Sequence, residues 1–208
     1  MESKESKKIK KKFGRKLYSL VEFYRIYYLA FFSLPDLINT KKNKVLSELF
    51  VERIMLAVTE VNGCPFCSYA HTKMALEAGM SNEEIQNMLA GVIDDIPEKE
   101  VSAVLFGHHY AFSRGCPSKE SWERIIEIYG LSEAKGILAS IRIMMFGNAA
   151  GIAWGSFVNR FKGKPDDRSN LTYEIGIIFS TIFFLPVSII HSILAKLLNS
   201  PIIKFKVT

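Results

Sequence analysis

The chemistry in this chain is concentrated in Cys64-Pro65-Phe66-Cys67-Ser68-Tyr69-Ala70-His71. Pro65 suits the first position of a helix, where its missing N–H is no loss. That placement makes Cys64 the N-cap and puts Cys67 in the first turn. A helix N-terminus offers free N–H groups and a partial positive charge. Both favour a thiolate, so a cysteine pKa lowered from about 8.5 to about 7 is expected here. His71 follows Cys67 by four residues and shares its helical face. An imidazole so placed can take a thiol proton and return it to a leaving group. Cys64, one turn earlier, is placed to form a disulfide with Cys67 after oxidation.

A base of this kind works better when a carboxylate orients it. Two candidates precede the motif. Glu60 falls at the end of its helix, where solvent is expected. Glu52 falls mid-helix among apolar neighbours, and a buried carboxylate implies a partner. The residues alone leave the choice even, since Glu52 could equally lie on a thin polar stripe. A second chemistry also fits the spacing. Cys64, Cys67 and His71 could ligate zinc in a structural protein, with His108 or His109 completing a tetrahedron. A thioredoxin-type site fits less well, because a helix rather than a strand precedes the cysteines. His108 and His109 otherwise read as core-edge or solvent histidines, Cys116 as a bystander thiol, and Trp122 and Trp154 as packing.

The elements that must hold these residues all read as helices. Residues 17–32 form an aromatic-rich first helix, expected to stop near Pro35. Residues 44–61 are apolar on most sides and should be buried, ending at Asn62-Gly63. Gly79 suits the end of the cysteine-bearing helix. Ser81 with Glu84 predicts a capping box for a fourth. Pro97 opens a fifth, running to Ser113. Ser118 opens a sixth that Gly130 closes, and Ser132 caps a long seventh to Phe161. In that helix Gly147, Gly151 and Gly155 recur every fourth residue, a smooth ridge for close packing. Residues 175–195 then contain no charge, which meets the length criterion for a membrane span. Pro186 could instead split them into two short buried helices.

The net charge is +6, from 27 Lys and Arg against 21 Asp and Glu. Residues 1–16 carry eight of the basic residues and two glutamates, so they account for all of it and the body is neutral. This argues against a nucleic-acid partner. A solvated tail is the plain reading, and attachment to an anionic membrane surface the sharper one. The apolar stretch after the tail is broken by Glu22 and Arg25 and lacks a cleavage site, so no signal peptide is expected. A cytoplasmic location follows, with membrane association through residues 1–16, and there the three cysteines stay mostly reduced.

Glu52, then Cys64-x-x-Cys67-x-x-x-His71, resembles the signature of the alkylhydroperoxidase D-like group within the carboxymuconolactone decarboxylase family. Met55-Leu56-Ala57-Val58 before the cysteines and Ala75-Leu76-Glu77-Ala78-Gly79-Met80-Ser81 after them fit as well, as does Ile96-Pro97-Glu98-Lys99-Glu100-Val101. The resemblance covers about residues 45–160. It implies an all-α helical bundle assembled as a homo-oligomer, a trimer or hexamer. It implies a thiol-dependent hydroperoxide reductase in which Cys67 attacks the peroxide, Cys64 resolves, His71 shuttles the proton and Glu52 completes the relay. No cofactor and no metal is called for. A dithiol donor, thioredoxin-like or lipoyl-type, would restore the thiols, and disulfide reductase or isomerase activity is the related alternative. Decarboxylase members generally lack the cysteine pair. The chain departs from the pattern at Phe66, where some hydroperoxidases have histidine, in its basic tail (1–16), and in its apolar helical extension (170–208) beyond the 17–161 domain.

Overall fold

The structure, a computed structural model, describes residues 16–203 and residue 205. These residues form seven helices and no strand: α1 (Leu20–Lys42), α2 (Glu48–Asn62), α3 (Pro65–Glu77), α4 (Asn82–Leu89), α5 (Glu98–Phe112), α6 (Lys119–Phe161) and α7 (Leu171–Leu197). The all-α expectation holds.

The local signals explain most boundaries. Ser47, Ser81, Ser118 and Asn170 each accept a backbone N–H from the third residue onward, capping α2, α4, α6 and α7. Gly63 ends α2 in the left-handed region (φ 67), which suits a residue without Cβ. Gly130 breaks α6 (φ 71, ψ 163), and helical dihedrals resume directly after it rather than from a cap at Ser132.

Three expectations fail here. The first helix does not stop at Pro35 but runs on to Lys42. Pro35 removes one backbone hydrogen bond, yet Phe32, Ser33 and Thr40 on either side of it are buried, and packing outweighs the loss. Pro186 likewise lies inside an unbroken α7. The complete capping box is at Ser19 and Glu22 of α1. At α4 only half of one forms: Ser81 caps, but the Glu84 carboxylate turns away to Arg53 at 2.5 Å.

That turn serves the bundle. Arg53 of α2 lies between Glu84 of α4 (2.5 Å) and Glu100 of α5 (2.8 Å), with all three side chains almost wholly buried. A smaller apolar cluster fills the space beside them, from Leu56 and Ala57 to Ile85 and Val104. The larger core gathers Phe23 of α1, Ile54 of α2, Phe106 of α5 and Ile152 of α6. Ile177 of α7 and Ile203 belong to this same core, so the apolar extension is packed onto the rest of the chain. α7 runs alongside α1. Tyr173 Oη accepts the Tyr18 N–H at 3.2 Å, Tyr27 Oη donates to the Thr181 carbonyl at 2.9 Å, and His191 stacks on Tyr28 with centroids 3.9 Å apart.

Two helices, α6 and α7, are long and apolar enough to cross a membrane by length and composition. In its most apolar window α6 is 72% buried within the protein, as a core helix is, whereas α7 is only 17% buried. The basic segment 1–15 falls outside the described residues. Lys16, the last residue of the 1–16 tail, is described and donates to the Ala111 carbonyl at 2.9 Å.

Candidate active site

The sequence placed Cys64 at a helix N-cap, and the geometry follows. Cys64 has extended dihedrals (φ −87, ψ 106), Pro65 opens α3, and Cys64 Sγ accepts the Cys67 backbone N–H at 3.3 Å. Both thiols are reduced and buried, Cys64 at 1% and Cys67 at 5% exposure. They are also the N-terminal anchor of an otherwise shallow helix, because Cys67 and Ala75 are the only buried residues within α3.

Of the two carboxylates, Glu52 is the one that meets His71. Glu52, buried in the middle of α2, lies 2.8 Å from His71 Nδ1 through Oε2. α2 and α3 are joined by a two-residue turn at Gly63-Cys64, so the carboxylate of one helix faces the imidazole of the next. The Nδ1 contact orients the ring and leaves Nε2 as the edge that can accept a proton. Glu60 is not in solvent. Its side chain is only 10% exposed and lies 3.4 Å from His108 Nε2. His108 therefore faces a carboxylate of α2. No group of three or more His, Cys, Asp or Glu among the described residues is arranged to hold a metal ion.

A lowered Cys67 pKa is not what the surroundings produce. The neighbouring Cys64 sulfur, and then burial, push the Cys67 thiol far above the ordinary range, against a smaller lowering by a backbone hydrogen bond. The helix N-terminal field is spent first on Cys64, whose sulfur takes the N–H. Cys67 keeps its proton and donates it to the Gly147 carbonyl at 3.4 Å.

Gly147 and Gly151 are the site residues that sequence reasoning read only as packing. A Cβ at Gly151 would stand 2.9 Å from Cys64 Sγ and 3.0 Å from Cys67 Sγ. No side chain fits between α6 and the two sulfurs. Their four-residue recurrence was the available signal, but nothing in it pointed to the cysteines. Gly155, third in the series, meets nothing within 4 Å. Arg53 and Glu100, which brace α2 next to Glu52, were not singled out at all.

The family model described as "Carboxymuconolactone decarboxylase family" matches residues 30–103, a segment containing Glu52, Cys64, Cys67 and His71. The family resemblance is borne out there. Among curated proteins and solved structures no match to the chain is found.

Proposed function

From a chain whose residues 30–103 match the carboxymuconolactone decarboxylase family, we propose that it is a thiol-dependent hydroperoxide reductase of the alkylhydroperoxidase D-like kind. The carrying observation is the Glu52–His71 pair at 2.8 Å, with Glu52 on α2 and His71 on the helix that begins at the two buried, reduced cysteines. A thiol held protonated needs a base, and an imidazole backed by a carboxylate is one.

In the cycle, His71 accepts the Cys67 proton as Glu52 stabilises the imidazolium. The Cys67 thiolate attacks one peroxide oxygen; the S–O bond forms and the O–O bond breaks. His71 returns its proton to the departing alkoxide, leaving an alcohol and a Cys67 sulfenic acid. Cys64 then attacks that sulfur, the S–S bond forms and water leaves. A dithiol donor reduces the disulfide by exchange. Gly151 leaves the two sulfurs free to approach each other.

The test is consumption of cumene hydroperoxide by reduced protein with a dithiol regenerant. Cys67→Ser should abolish turnover. Glu52→Gln should slow it by about 10²-fold, within the usual range for general acid–base assistance. Equal, slow peroxide removal by wild type and Cys67→Ser would remove the peroxidase reading. Retained reduction of a model disulfide in that case would assign the chain to the disulfide reductases instead.

The proposal extends to assembly. α3 presents Phe66 (64% exposed), Tyr69 (73%) and Met74 (47%) to the outside. An apolar face of that kind beside a reactive pair favours coverage by further copies, as a trimer or hexamer. Light scattering of the purified protein reads this directly, and a monomer at working concentration contradicts it.

A further inference from the structure

Away from the cysteine pair, two adjoining cavities of about 300 Å³ and about 270 Å³ lie between α1, α6 and the segment after α7. Their walls share Arg25, Leu29, Gly115 and Arg142. Charge in these walls is one-sided. The two linings hold three arginines, Arg25, Arg114 and Arg142, against a single carboxylate, Glu22. Glu22 is already taken by Arg114 at 2.6 Å.

Arg142 is the unusual group. It is 2% exposed, and its described partners are all neutral: Tyr110 Oη at 3.1 Å, Ser33 Oγ at 2.8 Å and the Ile202 carbonyl at 2.6 Å. Arg25 has the same character, with Nη1 2.8 Å from Cys116 Sγ and Nη2 3.0 Å from the Gly115 carbonyl. A guanidinium carries five donors and no acceptor, and a buried one without a counter-charge is costly. Arg142 uses three of those donors, and Arg25 two. Among the described residues the other buried arginine follows the rule: Arg53 holds two carboxylates. The remaining wall is mostly apolar, with Ile26 and Met145 in one cavity and Phe32 and Ile203 in the other, and it carries the polar groups of Ser113, His191 and Ser200.

We propose that these joined cavities bind an anionic amphiphile, an oxyanion head on an apolar chain. The head sits between the Arg25 and Arg142 guanidinium groups, whose planar forks match carboxylate and phosphate oxygens. The chain lies along Leu29 and the apolar walls. The carboxylate of a free fatty acid and the phosphate of a lipid share this chemistry. The site is separate from the cysteine pair and does not depend on peroxide activity.

Calorimetric titration of the reduced full-length protein with decanoate and with decyl phosphate, below their micelle concentrations, tests this. Decanol and inorganic phosphate serve as controls, each carrying one half of the ligand. At least one amphiphilic anion binds with one site per chain, at least tenfold tighter than either control. The tighter of the two identifies the head group. Arg25→Met, at a partly exposed position, lowers that affinity at least tenfold. Arg142→Met does the same where it folds, and Arg142→Lys retains more of the affinity than Arg142→Met. Decanol binding as tightly as decanoate, binding that survives Arg25→Met (as adsorption on the apolar outer face of α7 would), or no binding by either anion overturns the proposal.

Discussion

Gly151→Ala perturbs the candidate site through a single methyl group. The added Cβ would stand 2.9 Å from Cys64 Sγ, closer than Cβ atoms normally approach any neighbour, and 3.0 Å from Cys67 Sγ, tighter than most such contacts. Both sulfurs are buried, and Cys64 is tied to the start of α3, so neither is the loose end of a flexible chain. Overpacking of this kind costs about 1–3 kcal/mol. Alanine in place of glycine inside a helix returns about 1 kcal/mol. The net expectation is destabilisation of about 0–2 kcal/mol. Gly155→Ala, one turn on, meets nothing within 4 Å and shows only the helix gain. The two variants therefore differ by about 1–3 kcal/mol, or roughly 2–12 °C in Tm for a chain of this size. Thermal unfolding by circular dichroism under reducing conditions measures the difference. Peroxide turnover should fall in Gly151→Ala and hold in Gly155→Ala. If Gly151→Ala melts at or above Gly155→Ala with unchanged turnover, the sulfurs do not pack against α6 as described.

Arg53→Met leaves Glu84 and Glu100 without their buried partner. It should cost about 3–5 kcal/mol in chemical denaturation, and a loss below about 1 kcal/mol contradicts the burial. The Arg114 guanidinium, with help from Ser19 and against burial, holds the Glu22 carboxyl down to about 2, from an ordinary 4.5. A depressed carboxylate stabilises the fold above its unfolded value and loses that contribution as pH falls through the folded one. The Tm advantage of wild type over Arg114→Met should therefore be constant above about pH 5 and shrink as pH falls towards 2; a pH-independent gap refutes the assignment. The basic tail and the exposed face of α7 together predict flotation with anionic vesicles at low salt, and loss of most of it without residues 1–16. Equal flotation with neutral vesicles would discard the charge contribution.

Much of the framework was legible in the sequence, because helix ends are local physics. Pro65, Gly63, Gly130 and the capping serines Ser81 and Ser118 act on their own turns, and their positions hold. Cys64 at the N-cap and His71 one turn past Cys67 follow from helical spacing alone. Where a local signal competed with packing, packing won: Pro35 and Pro186 stop nothing, and Glu84 leaves its capping box for Arg53. What the sequence left open was every contact between helices. Glu52 and Glu60 lie on one helix, and only the crossing of α2 against α3 and α5 gives one to His71 and the other to His108, where the sequence alone predicts solvent for Glu60. The Cys67 pKa reverses for two reasons. A helix end favours a thiolate, but the second sulfur at the same N-cap, a local neighbour three residues back, opposes it, and so does burial, which exists only once the helices pack. The chain alone determined which groups could react; the packing of the helices decided which of them meet.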